Sequence, residues 1–273
     1  MILHPNAKIN LGLNVVRKRP DGYHDLETVF YPIPLFDDLE VNPICSADKP
    51  YNLIVNGNSI GGEDEDNLVV KALHLLKNKG YDFPPVEIRL NKKIPSGAGM
   101  GGGSSDAAFM LKALNKCFNL NIPTPILELY SAELGADCAI FIQNKPVYAE
   151  GIGNIFTNID FSLSGYYLVV VKPDIFISTK AAFSQIKPAR PESNLKDIIK
   201  MPITKWKDYM FNDFEYSVFP QFPEIASIKQ KLYDLGAIYA AMSGSGSSVF
   251  GIYSECQLLE ASFPGCFYSC LKL

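Results

Sequence analysis

From residue 7 to 15 apolar and polar side chains alternate. Ala7, Ile9, Leu11, Leu13 and Val15 take every second position, with Lys8, Asn10, Gly12 and Asn14 between them. A period of two is that of a strand with two different faces. The spacing predicts a half-buried strand with Lys8 and Asn10 on its solvated face. Asp21-Gly22 then marks a turn. Apolar runs at 28–33, 39–41, 53–55 and 86–90 predict further strands, and 139–142 reads as another. Residues 68–76 have helical spacing behind a candidate N-cap, Asn67. A helix is expected over 106–118, where Ala107, Leu111 and Leu114 share a face, and Pro123-Thr124-Pro125 opens another that runs to 134. Later, 167–171 is a continuous apolar run of the kind central strands carry. A loop at 188–192, helices at 195–199 and 224–235, strands at 238–241 and 249–253, and a closing helix and strand complete the pattern. It predicts an α+β protein of two lobes, with a boundary near residue 160.

Composition narrows the class. Of 273 residues 47% are hydrophobic and 20% charged, the balance of a soluble globular chain large enough for two domains. A net charge of -4 gives no support for a nucleic-acid surface. No apolar run approaches the roughly 20 residues that span a bilayer. The first residues lack a basic stretch followed by a long apolar core. A cytoplasmic enzyme with no membrane partner is therefore expected. Six cysteines form no C-x-x-C pair and the three histidines lie far apart, so zinc spacing is missing and reduced thiols are expected.

The chemistry concentrates in Ile94-Pro95-Ser96-Gly97-Ala98-Gly99-Met100-Gly101-Gly102-Gly103-Ser104-Ser105-Asp106. This segment joins an expected strand to an expected helix. Its five glycines let the backbone take conformations closed to other residues and lie close to a ligand. Ser104 and Ser105 fall at the helix start, where unpaired N–H groups and the positive dipole end favour an anion such as phosphate. A plain linker is the alternative. No Gly-Lys pair exists in the chain, so this is not a Walker loop. Gly97, Gly99 and Gly102 spell the dinucleotide fingerprint in letters, but no acidic residue stands about 20 positions on.

The loop resembles the second motif of the GHMP kinases, named for galactokinase, homoserine kinase, mevalonate kinase and phosphomevalonate kinase. Pro5-Asn6-Ala7-Lys8-Ile9-Asn10-Leu11-Gly12-Leu13 resembles their N-terminal motif, and Ala241-Met242-Ser243-Gly244-Ser245-Gly246-Ser247-Ser248-Val249-Phe250 their C-terminal glycine motif. Arg19-Pro20-Asp21-Gly22-Tyr23-His24, Glu65-Asp66-Asn67-Leu68 and Gly135-Ala136-Asp137-Cys138 narrow the likeness to the branch whose acceptor is 4-diphosphocytidyl-2-C-methyl-D-erythritol. It covers most of the chain and is weakest over 184–221.

The resemblance implies a ribosomal S5 domain 2-like N-terminal lobe, residues 1–160, and a ferredoxin-like C-terminal lobe, residues 161–273. It implies ATP as donor, held by Pro95, Ser96, Gly97, Ala98, Gly99, Met100, Gly101, Gly102, Gly103, Ser104 and Ser105. Mg2+ would arrive with ATP, its protein ligands unassigned. Asn67 and Lys92 match positions near the base, although a helix cap and a solvated lysine are the plainer readings. Lys8 and Asp137 take the catalytic places. Phosphoryl transfer needs positive charge where negative charge develops, and a carboxylate beside an apolar run is costly unless paired; a solvated lysine and a turn or cap aspartate are the alternatives. Asn10, Tyr23, His24, Thr179, Phe183, Gly244, Ser245 and Gly246 match acceptor positions, with Tyr23 and His24 at the cytidine. Phe183 also reads as a core residue, and the Ser-Gly segment as a plain hairpin. A monomer or a homodimer is expected. Another small-alcohol kinase, or a non-catalytic nucleotide-binding protein on the same scaffold, are the rival readings.

Overall fold

A computed structural model describes residues 1–45, 49–58 and 61–273. In chain order the strands and helices run β1 (Ile2–Leu3), β2 (Asn6–Lys18), β3 (His24–Phe36), β4 (Asp38–Pro43), β5 (Tyr51–Gly57), α1 (Leu68–Asn78), β6 (Val86–Lys92) and α2 (Gly102–Cys117). Next come α3 (Thr124–Leu134), α4 (Ile140–Gln143), β7 (Val147–Glu150), β8 (Ile155–Asn158), β9 (Tyr167–Lys172), α5 (Thr179–Phe183), α6 (Leu195–Ile198) and α7 (Trp206–Tyr209). The chain closes with α8 (Phe214–Gln221), α9 (Pro223–Asp234), β10 (Tyr239–Met242), β11 (Val249–Tyr253) and β12 (Phe267–Lys272). It divides into two compact units: Met1–Ala7, Leu35–Ser96 and Gly101–Lys145, and Lys8–Pro34, Gly97–Met100 and Pro146–Leu273. Neither unit is a single continuous segment.

The first unit is built on a sheet of order β1-β4-β6-β5, with β5 parallel to β6 and the other pairs antiparallel. Leu39, Val41, Ile88 and Leu90 of its central strands are fully buried. Val69, Val70, Leu73 and Leu76 of α1, and Ala107, Met110, Leu111 and Leu114 of α2, are buried with them. Each large apolar side chain taken out of water in this way contributes about 1.5–3 kcal/mol. Asn67 caps α1 as expected, its Oδ1 accepting the Val69 N–H at 3.1 Å. The helix expected from 106 begins four residues earlier. Gly101 stands at its N-cap with φ 70°, a left-handed conformation that glycine takes without strain. The run 139–142, read as a strand, instead ends in the short helix α4. Four apolar residues carry no period by which strand and helix can be told apart.

The second unit holds two sheets. One has the order β2-β3-β7-β8. The other has the order β10-β11-β9-β12 with every neighbour antiparallel. Within this region that is second, third, first, fourth, the ferredoxin-like arrangement. Its core gathers Val169, Val171, Ile225, Ile228, Leu232 and Val249. The closing helix expected from sequence is only a 3-10 turn, Glu260–Ser262. Pro264 follows at once and disfavours helical backbone in the residue before it. The face of β2 expected to meet water is also covered: Lys8 is 2% and Asn10 1% exposed. Alternation identified the strand, but could not reveal what packs over its polar side.

Candidate functional site

The second unit brings pieces of all three motifs to one place. Lys8 N–H donates to Met100 O at 3.0 Å, and Ser248 N–H to Ala98 O at 3.3 Å. Gly99 O accepts from Lys8 Nζ at 3.2 Å and from Ser243 Oγ at 3.0 Å. The glycine segment 97–100 is thus held between β2 and the turn after β10. Gly99 has φ 71°, and a Cβ there would stand 2.0 Å from Ser243 O. Only glycine permits this approach, which gives the loop's composition a local cause. Lys8 Nζ also donates to Asn10 Oδ1 at 2.7 Å and lies 4.8 Å from the centre of the Phe30 ring. Asn10 Nδ2 donates to Thr28 Oγ1 at 2.9 Å, and that hydroxyl donates to Gly12 O at 2.5 Å. Lys8 and Asn10 are therefore oriented by a chain of buried hydrogen bonds.

The Ser243–Gly246 turn is held from below by two residues that sequence reasoning did not single out. Asn212 Nδ2 donates to Met242 O at 2.7 Å and Gly244 O at 2.8 Å, while its Oδ1 accepts the Phe214 N–H at 3.0 Å. Glu215 accepts the Met242 N–H at 2.8 Å and pairs with Lys229 at 2.5 Å. Burial holds the Glu215 carboxyl above the usual carboxylate range, with Lys229 opposing. Both lie in the region where the motif resemblance is weakest. Gly244 and Gly246 are buried, whereas Ser245 is half-buried.

Of the residues expected to meet the acceptor, Tyr23 is 62% exposed. His24 stacks on Phe183 at 4.5 Å and 19°, and Phe183 meets Phe214 edge-on at 4.8 Å. Phe183 therefore serves the core and the His24 ring together. Partial burial, with the charge of Lys18, lowers the His24 pKa, so its imidazole is neutral at pH 7. A neutral ring offers one donor and one acceptor, which suits reading the polar edge of a base. Thr179, exposed, is the first residue of α5, behind the capping hydroxyl of Ser178.

The first unit carries the rest. Gly102, Gly103 and Ser104 form the first turn of α2, so their N–H groups stand at its positive end. Pro95 is half-buried, and Ser96 and Gly103 are exposed. The Ser104 hydroxyl bonds to the Cys138 thiol, whose pKa burial pushes up to about 11, which favours the protonated thiol at pH 7. Ser105 is fully buried and its Oγ has no hydrogen-bond partner. Asp137 sits half-buried in the turn 136–139. Lys92, read as a solvated lysine or a nucleotide ligand, is 4% exposed, with its ammonium between the carboxylates of Asp37 and Asp106. Burial, reinforced by Asp37 and opposed by Lys92, pushes the Asp106 carboxyl up to about 7. Asp106 could have been found from its place at the end of the glycine motif. Asp37, 55 residues from its lysine, and Asn212 carried no sequence signal.

Comparison with known proteins fits this arrangement. The family described as GHMP kinases, N terminal domain, matches residues 67–145, and GHMP kinases, C terminal, matches residues 194–259. The chain belongs to the GHMP kinases. It is 60% identical over 277 residues to the 4-diphosphocytidyl-2-C-methyl-D-erythritol kinase of Bacteroides fragilis, covering all of both chains. To the protein of that name from Porphyromonas gingivalis it is 50% identical, over 98% of this chain and 97% of the other. A crystal structure of 4-(cytidine 5'-diphospho)-2C-methyl-D-erythritol kinase superposes with a TM-score of 0.84 at 30% identity, covering 100% of both chains. The mevalonate kinase of Methanococcus jannaschii shares the fold, with a TM-score of 0.70 at 14% identity over 100% of this chain and 98% of that one.

Proposed function

We propose that this protein is an ATP-dependent kinase that phosphorylates the tertiary 2-hydroxyl of 4-diphosphocytidyl-2-C-methyl-D-erythritol, a step in making isoprenoid precursors. GHMP kinases use ATP as phosphate donor. The observation that carries the reading is the meeting of Lys8, Gly99 and Ser243, drawn from three distant motifs, within hydrogen-bond distance. Whole-length likeness to relatives of that name supports the acceptor. Asp137 takes the proton of the acceptor hydroxyl. The freed oxygen attacks the γ-phosphorus in line, and the bond to the bridging oxygen of ADP breaks. The Lys8 ammonium stabilises the charge that develops. Pro95 to Ser105 hold the triphosphate, and Asn67 lies toward the base. Left-handed glycines at 97, 99 and 101 and the open first turn of α2 fit that role. Mg2+, bound with the triphosphate, would neutralise part of its charge.

Tyr23, His24 and Phe183 hold the cytidine. Asn10, Thr179, Gly244, Ser245 and Gly246 hold the rest of the acceptor. The reading takes 1–160 as the ATP-binding lobe and 161–273 as the C-terminal lobe, and the two family matches fall on either side of that boundary. It places the enzyme in the cytoplasm, as a monomer or homodimer without nucleic-acid partner. Among the described residues no helix is long and apolar enough to cross a membrane. A coupled assay of ADP release tests the assignment, with the cytidylyl compound, homoserine and mevalonate as acceptors. Turnover with the first alone is expected, and equal turnover with mevalonate or homoserine overturns it.

A further inference from the structure

One cluster near the glycine loop has no part in the reaction just described. Lys92, the last residue of β6, is buried, and its Nζ donates to Asp37 Oδ2 and, at 2.6 Å, to Asp106 Oδ2. Asp37 does more than neutralise it. Its other oxygen accepts the N–H groups of Lys93 at 2.6 Å and Ile94 at 2.8 Å, the two residues that lead out of the strand. Asp106 stands on α2 one turn beyond Gly102, and its Oδ1 is buried without a partner. Where helix and strand end come together, a Cβ on Gly102 would lie 2.9 Å from Ile94 and 3.4 Å from Lys92 Nζ. The strand end at 92–94 and the first turns of α2 are thereby tied at both ends of the segment that the proposed function assigns to the triphosphate.

Two buried carboxylates facing one ammonium are a costly way to gain stability, since an apolar cluster of the same volume often does as well. What such a cluster offers is fixed geometry. An ammonium engaged by two carboxylates is also poorly placed to serve a nucleotide base. We propose that Lys92 is a positioning residue, tied by Asp37 and Asp106, that sets the spacing of the two ends of the phosphate loop and does not contact the nucleotide.

This inference rests on ATP binding at that loop, and the test separates the two. Binding of ATP, GTP and inorganic tripolyphosphate is measured by competition against a fluorescent nucleotide. The temperature is well below the melting point of every variant, with circular dichroism as a check on folding. A residue that spaces the loop acts on the phosphates whatever base they carry. Lys92→Met and Asp37→Asn should each weaken ATP and tripolyphosphate by the same factor, about tenfold or more, with the ATP-to-GTP ratio unchanged. Asp106→Asn keeps an oxygen for Lys92 and should show the same pattern with a smaller loss. If Lys92→Met or Asp37→Asn fails to fold, Lys92→Arg keeps the charge but places a wider head between the carboxylates, and should show the same proportional loss. A variant of Lys92 that weakens ATP but not tripolyphosphate means that Lys92 reads the base. Unchanged binding of both in folded variants leaves the cluster a role in stability alone. Either result overturns the inference. A wild-type protein that binds neither ATP nor tripolyphosphate overturns the proposed function instead.

Discussion

At the scale of single residues, Lys8 and Asn10 show what a sequence can and cannot reveal. Their alternation with apolar neighbours is visible in the letters, and the motif likeness marks both. Their burial is not visible, because it depends on Phe30 and on backbone some 90 residues away. A buried ammonium held by Asn10 and a backbone carbonyl has lost much of its freedom to reorient, which is what preorganised charge stabilisation requires. On the proposed mechanism Lys8→Met and Asp137→Asn each lower kcat by roughly 10² or more, with a modest change in ATP affinity. If they act on one charge and one proton, the double variant loses far less than the product of the single losses. Near-normal turnover in either single variant removes that residue from the mechanism. Asn212 had no sequence signal, because both carbonyls it serves lie about 30 residues away.

At the scale of elements, the glycine loop was the most legible part of the chain and the short terminal elements the least. Glycine clusters report backbone demands directly, whereas α4 and the 3-10 turn before Pro264 were decided by local competition among few residues. The close approach at Gly99 gives a measurable consequence. A non-glycine residue in the left-handed region costs about 1–2 kcal/mol, or several degrees of melting temperature for a chain of this size. Gly22 shares a positive φ, 88°, but a Cβ there meets nothing within 4 Å, while at Gly99 it meets a backbone oxygen. Gly99→Ala should therefore lower Tm clearly more than Gly22→Ala by calorimetry. Equal losses would mean that the contact with Ser243 is not tight in solution.

The turn after β10 has its own signature, in pH. Burial raises the folded-state pKa of Glu215, so above the ordinary glutamate value of about 4.3 the folded protein binds more protons there than the unfolded chain. Its contribution to stability falls as pH rises through that window. Urea midpoints taken from pH 4.5 upward should fall less steeply in Glu215→Gln than in wild type. Parallel curves would show that Glu215 titrates normally.

For the whole molecule, the question is which acceptor it takes, since the fold is shared with kinases of unlike substrates. Fold alone does not choose among them; a pocket for a base would. His24 and Phe183 already stack on one another, Tyr23 directly precedes His24 in the chain and is exposed, and a neutral imidazole keeps one donor and one acceptor. The sequence made Tyr23-His24 legible through the preceding turn and the motif. It left Phe183 open, because the ring faces both a core partner and His24. If these residues hold cytosine, Tyr23→Ala should raise the acceptor KM and leave that for ATP unchanged. Base–aromatic stacking is worth about 1–3 kcal/mol, which corresponds to a rise of roughly 5- to 150-fold. His24→Ala would leave a polar edge of the base unpaired and should relax discrimination against a uridine analogue. Comparing kcat/KM for the cytidine and uridine compounds in wild type and both variants decides the matter. Should neither substitution move the acceptor KM, or should wild type accept methylerythritol phosphate without any nucleotide equally well, the base is not what these residues recognise, and the chain is a GHMP kinase with another acceptor.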